Sequence, residues 1–301
     1  MKSLRQLIEK AEKNKLAIGH FNVSDFEQLK AIAQVGIKLN VPVIVGLSEG
    51  EREYFGIHHF RDLVASYNSQ YGRFKTSNGF WLYTNADHTH SFEKLIEAAR
   101  VGFDMIIFDA SRLPLEKNIQ LTKQAVTIVK RINPKIMVEG ELGYIGSSSE
   151  ILKGVPQGAA VRTQDLTKPE EAKRFVEETG VDLLAPAVGN IHGMIFLKED
   201  GNFVNPPLDI ERIKKIKEAV KIPLVLHGGS GVSDGDFVAA IEAGVSVIHI
   251  STELRLVWRQ TLEKALANHQ GEVAPYKILP EVLSAMEKLV ERRLRLFNKL
   301  L

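Results

Sequence analysis

The feature that most restricts how this chain can fold is a repeated alternation of short, nearly continuous apolar runs with segments of helical spacing. Eight such runs occur: LAIGHFNV around Ile18, VPVIVGL around Val45, GFWLYTNA around Leu82, MIIFDA around Ile107, KIMVEGEL around Val138, DLLAPAV around Leu184, PLVLHG around Leu226 and SVIHIS around Ile248. A strand that is apolar on both alternating faces is covered on both sides, as in a parallel sheet wrapped by helices. The intervening stretches suit those helices, for example FEQLKAIAQVGIKL from Phe26, FEKLIEAARVG from Phe92 and DFVAAIEAGV from Asp236. Gly102, Gly180 and Gly244 stand where helix C-termini favour a left-handed residue. Eight units in 301 residues match a closed (β/α)8 TIM barrel, an α/β fold, better than an open doubly wound sheet, and no G-x-G-x-x-G follows the first strand. We expect one barrel domain over residues 1–301, with a C-terminal helical extension over about 252–301.

Composition narrows the function classes. Apolar residues make up 44% of the chain and charged residues 25%, enough for a sizeable core and against disorder. Lys plus Arg (39) nearly cancel Asp plus Glu (37), so charge gives no reason to expect nucleic acid. There is no cysteine, hence no disulfide framework, thiolate nucleophile or Cys-based metal site, and any metal must be held by histidine and carboxylate. The opening MKSLRQLIEKAEKNK reads as an amphipathic helix, not a signal peptide, and no window approaches the ~20 apolar residues of a membrane span. We expect a cytoplasmic protein with a small-molecule ligand and neither nucleic-acid nor membrane partners.

Two departures from a minimal barrel stand out. GYIGSSSEILKGVPQGAAV, after the fifth run, reads as a mobile active-site loop, because long unstructured connections are usually functional or disordered. After the eighth run a mostly helical tail carries an apolar face around Leu283, Met286, Leu289, Val290, Leu294 and Phe297. Such a stripe must be buried, either by capping the barrel or on a second subunit, and we place a homo-oligomer (dimer or tetramer) ahead.

The chemistry lies in where the histidines fall. His88 follows the third run, His192 the sixth, His227 ends the seventh and His249 lies in the eighth. In a closed parallel barrel these points share the C-terminal rim, where barrel enzymes assemble sites from residues distant in sequence. Three neutral imidazoles converging beside an open coordination position make a catalytic zinc site; the alternative is three separately satisfied polar residues at loop starts. Asp87 precedes His88, Asp109 ends the fourth run, and Glu139 and Glu141 flank Gly140 at the end of the fifth. A carboxylate beside a metal ligand can act as general acid or base, while Asp109 serves equally well to orient a ligand or cap a helix. HGGSG, from His227 to Gly231, follows a strand and opens a helix, so the N–H groups of Gly228 and Gly229 and the Ser230 hydroxyl can cradle an anion. His58 and His59 read as solvated, and His90 sits too close behind His88 to share its site.

FNVSDFE at Phe21, PVIVGLSEGEREYFG at Pro42, ADHTHSFE at Ala86, FDAS at Phe108, VEGELGYIG at Val138, NIHGM at Asn190, LVLHGGSG at Leu224 and STELR at Ser251 span nearly the whole chain. In these pieces and their order the chain resembles the class II, zinc-dependent fructose-bisphosphate and tagatose-bisphosphate aldolases. The resemblance implies that His88, His192 and His227 ligate one Zn2+, that Asp87 is the acid/base at the aldehyde oxygen, and that Glu141 is an alternate ligand or its neighbour. It also implies that Gly193, Gly228, Gly229, Ser230, Ser251 and Thr252 surround the ketose phosphate, with Asn22 and Ser48 at the floor of the pocket. Zinc would polarise the C2 carbonyl of dihydroxyacetone phosphate, a base would remove a C3 proton, and the metal's charge would stabilise the enediolate.

Four positions depart from the family pattern. His249 replaces an Asn that orients the ketose, Ser251 stands where fructose-specific members have Asp, and Asn85 replaces a His. The loop reads Gly146, Ser147, Ser148, Ser149, Glu150 in place of G-G-x-E-D, so its Glu is either shifted to Glu150 or missing. We therefore expect a zinc-dependent aldolase-type lyase with altered phosphosugar preference, His249 serving as base or extra ligand. The rival readings are a metal-dependent sugar-phosphate epimerase or isomerase, and a family member that binds metal and phosphosugar with altered catalysis.

Overall fold

The structure is a computed structural model and describes residues 3–72, 80–147, 149–196, 203 and 205–300. After α1 (Leu4–Lys13) come β1 (Ile18–Asn22), α2 (Phe26–Leu39), β2 (Pro42–Leu47), α3 (Glu49–Phe55), α4 (Ile57–Gly72), β3 (Trp81–Thr89), α5 (Phe92–Val101), β4 (Met105–Phe108), α6 (Leu115–Ile132) and β5 (Met137–Leu142). The second half runs through β6 (Ile151–Leu152), α7 (Pro169–Thr179), β7 (Leu183–Pro186), β8 (Met194–Ile195), α8 (Ile210–Val220), β9 (Leu224–Leu226), α9 (Asp234–Ala243), β10 (Val245–Ile250), α10 (Thr252–Asn268) and α11 (Pro275–Phe297). Among the described residues, eight parallel strands close into a barrel in the order β1-β10-β9-β7-β5-β4-β3-β2. All eight apolar runs became its strands.

Strand alternation fixes what the barrel encloses. Ile18, Ile44, Tyr83, Met105, Met137, Leu183, Val225 and Val247 share one cluster with Leu4, Ile8 and Ala11 of α1, so the N-terminal helix plugs the bottom of the barrel. The intervening residues, such as Phe21, Val45, Leu82, Ile106, Val138, Leu184 and Ile248, pack outward under the helices. Two residues further along the inward faces the composition turns polar, to His20, Asn85, Glu139, His227 and His249, all buried.

The C-terminal helix takes the first of the two courses open to its stripe, burial on the barrel. Met286, Val290, Leu294 and Phe297 are buried within the chain itself. α11 packs against α2 and α9, and Leu294 comes so close to β1 that any Cβ at Gly19 would meet it at 2.8 Å. Because α11 fills the gap in the helical ring between α9 and α2, its stripe is spent on the barrel and gives no argument for a second subunit. The stretch after β5 is also not wholly unstructured, since β6 pairs in parallel with β8 through Ile151–Met194 and Leu152–Ile195. Ser148 lies outside the described residues.

Candidate metal and active site

At the end of β3 the register with β4 slips between Ala86 and Thr89, and His88 takes a left-handed φ of +41°. In a regular strand, adjacent Asp87 and His88 would point to opposite faces. The irregularity turns both toward the barrel mouth, and a non-glycine residue holds such a backbone only where its surroundings enforce it. Asp87 accepts from Asn22 Nδ2 at 2.8 Å, while His88 Nδ1 hydrogen-bonds Asp109 Oδ2 at 3.1 Å. Glu141 Oε1 is nearer, 2.9 Å from the same nitrogen, but off the direction a hydrogen bond requires.

One ring nitrogen from each of His88, His192 and His227 lies within 4.8 Å of the other two. Each ring is also tethered at one nitrogen: His88 Nδ1 by Asp109, His192 Nδ1 by the Gly146 carbonyl at 2.8 Å, and His227 Nε2 by Glu139 Oε1 at 2.7 Å. Such tethering fixes tautomer and ring direction in metal-ligating histidines. His227 Nδ1 is buried and has no hydrogen-bond partner among the described residues, as a nitrogen reserved for a cation would be. Electrostatics agree with a cation here. Burial and the neighbouring His88 and His227 pull His192 down to about 4. At His88 burial pulls the same way, but the charges of Asp87 and Glu141 outweigh it and hold the ring well above its ordinary value. The carboxylates thus favour positive charge at this point, and a divalent ion answers that demand.

An outer chamber of about 370 Å³ opens above these rings, lined by residues including Asn22, Ser48, Asp87, His88, Asp109, Arg112, Tyr144, His192 and Arg255. A narrow inner chamber continues from it between Gly193, His227, Gly228, Ser230, His249, Ser251 and Thr252. A model of class II fructose-bisphosphate aldolases matches residues 2–300. The chain belongs to that family. Among solved structures it is similar to the YdjI aldolase from Escherichia coli K12, with 30% identity, 98% of this chain and 96% of that one covered, and a TM-score of 0.76. A Coccidioides immitis structure shares 27% identity over 98% and 96% of the two chains, also at a TM-score of 0.76. The fold is shared with fructose-bisphosphate aldolase (Fba) from Campylobacter jejuni, at 21% identity, 98% and 94% coverage and a TM-score of 0.75. This class II aldolase is therefore an aldehyde lyase on a barrel, and family members are typically metal-dependent.

Within the aldolase, the barrel brings Asn22, Ser48, Asp87, His88, His192, Gly193, His227, Gly228, Ser230, His249, Ser251 and Thr252 to the two chambers. Glu141 is buried beside them. Gly228 has φ +59°, and a Cβ there would stand 2.1 Å from the Ile191 carbonyl, so the loops after β9 and β7 can meet only at glycine. Two expectations need correction. Gly229 does not line either chamber, because its N–H donates to the His249 carbonyl at 3.0 Å. HGGSG does not itself open a helix: Val232 and Ser233 intervene, and Ser233 caps α9. Ser230 Oγ instead accepts from the N–H groups of Ser251 and Glu253 at the start of α10. Glu150 is exposed and absent from both chamber linings, whereas Ser149 lines both. His90 is closer to the site than its spacing suggested, with Nδ1 3.2 Å from the Asp109 carbonyl.

The sequence reading missed His20, Arg112, Tyr144 and Arg255. Alternation along β1 puts His20 on the same face as Asn22, a placement that gains meaning only once its neighbouring strands are known. Helical spacing carries it for Arg255, four residues after Ser251.

Proposed function

We propose that this lyase reversibly cleaves a ketose bisphosphate to dihydroxyacetone phosphate and an aldehyde, with one zinc ion held by His88, His192 and His227. The observation that carries this reading is the set of three tethered imidazoles around one point, with Asp87 beside them. When bound there, zinc supplies the charge that polarises the C2 carbonyl and stabilises the enediolate.

The chain's own residues supply the rest. Opposing burial, the charge of His88 and the hydrogen bond from Asn22 hold the Asp87 carboxyl below its ordinary range, so it is ionised. Its Oδ1 has no hydrogen-bond partner among the described residues and takes the proton of the C4 hydroxyl as the C3–C4 bond breaks. The electron pair of that bond stays on C3, which takes up a proton that we assign Glu141 to relay from solvent, while Asp87 returns its own to solvent. Burial holds His249 well below its ordinary value. It therefore serves as a neutral hydrogen-bonding group for a ketose hydroxyl and is too weak a base for C3. Gly193, Gly228, Ser230 and Thr252 receive the C1 phosphate; the Ser230 oxygen is already an acceptor, which leaves its hydrogen to donate. Ser251 Oγ is buried and has no partner among the described residues, which leaves it available to a substrate hydroxyl. Ser48, Arg112 and Arg255 in the outer chamber suit a second phosphate. The same reading takes the chain as one catalytic domain in the cytoplasm, which its lack of cysteine supports.

The test is direct. Zinc-loaded protein is incubated with dihydroxyacetone phosphate in deuterated water and, separately, with fructose and tagatose 1,6-bisphosphates, and followed by NMR. C3 deuteration and three-carbon products from at least one bisphosphate are expected. Isomerisation without cleavage, or no reaction, would overturn the proposal.

A further inference from the structure

From the wall of the inner chamber inward, three imidazoles form a pile. His20 and His249 stack with centroids 3.5 Å apart and planes 6° from parallel, and His249 stacks in turn on His227 at 4.0 Å and 24°. The register makes this contact obligatory, because His20 and His249 are Cα partners on neighbouring strands β1 and β10. The other side of His20 is equally built. Asn85 of β3 lies 2.9 Å from His20 Nε2 through its side-chain amide. Gly46 of β2 leaves the space the ring fills, since a Cβ there would stand 2.4 Å from it. Three strands therefore shape one buried slot for a histidine at position 20.

A second cation is a poor explanation of the slot. His20, Asp87 and His249 place donor atoms within 4.8 Å of one another. Imidazole lone pairs, however, lie in the ring plane, and two rings stacked nearly parallel aim them side by side, not at a common point. What the pile does instead is sandwich His249 on both faces, between a β1 residue and His227, next to the inner chamber. Burial pulls His20 down to about 3, so the contact is between neutral rings.

We propose that His20 is a positioning residue, held by Asn85 and Gly46, that fixes the ring plane of His249 toward the substrate. The inference rests on His249 contacting substrate, as proposed above. It is tested by a double-mutant cycle on zinc-loaded protein, reading deuterium exchange at C3 of dihydroxyacetone phosphate. His20→Ala lowers kcat about tenfold with KM changed less than about twofold. His20→Phe, which keeps an aromatic face against His249, restores most of the rate. In a His249→Asn background, itself slower than the parent, His20→Ala has no further effect on kcat. The ring 15N signals of His249, sharp and single in the parent, broaden or double in His20→Ala. Additive losses in the double variant, or unchanged His249 signals, would overturn the positioning role alone. An unaltered rate in His249→Asn would instead overturn the reading of His249 and the positioning role with it.

Discussion

The two ends of one barrel interior have opposite chemistry. At the bottom, Ile18, Met137, Val225 and Val247 meet Leu4 and Ile8 in an apolar plug. One inward step higher on the same strands stand His20, Glu139, His227 and His249. A strand advances ~6.6 Å over two residues, so a change of solvent-like character is completed within about one side-chain layer. The bottom layer contributes burial, about 1.5–3 kcal/mol for each large aliphatic side chain, and does no chemistry. The top layer is made of groups that are unfavourable to bury unless paired, and several buried atoms there have no hydrogen-bond partner among the described residues: Asp87 Oδ1, Glu139 Oε2, His227 Nδ1 and His249 Nε2. Stability and function are thus segregated along the axis, and the difference can be probed layer by layer.

The largest effect is expected at the top. Asp87→Asn lowers the rate of cleavage and of C3 exchange by about 10²–10⁴-fold while zinc stoichiometry and melting temperature stay near the parent's; concurrent loss of zinc would merge the acid/base with the cage. At the bottom, Ile8→Ala reduces unfolding free energy by about 2–5 kcal/mol in urea titration with kcat unchanged. A matching fall in kcat would break the segregation. The smallest of the three is expected from Glu139→Gln, which still reaches His227 but without charge: zinc affinity in a competitive chelator titration falls about 10- to 100-fold. No change would mean that Glu139 steadies the barrel and not the ligand.

The barrel was legible because strands buried on both faces and helices with one apolar stripe write different periods into the sequence. The three histidines were legible because His88 and His227 sit at strand ends and His192 in the connection that follows β7. His20 was not, since a histidine inside an apolar strand looks like any satisfied core residue until its neighbours β2, β3 and β10 are known. Nor was the partner of α11: an amphipathic stripe states that burial is required, and only the gap between α9 and α2 states where. Gly229 misled for a related reason, because a glycine-rich turn advertises free N–H groups without showing that strand β10 has already taken one. The left-handed backbone of His88 likewise has no residue-type signature, being imposed by the slip in register between β3 and β4.

The most direct test of the account is X-ray absorption at the zinc edge on protein purified with one equivalent of metal. Three nitrogen scatterers near 2.0–2.1 Å with imidazole outer-shell features, lost stepwise in His88→Ala, His192→Ala and His227→Ala, are expected. A shell of oxygens alone, or a spectrum indifferent to all three substitutions, would contradict it.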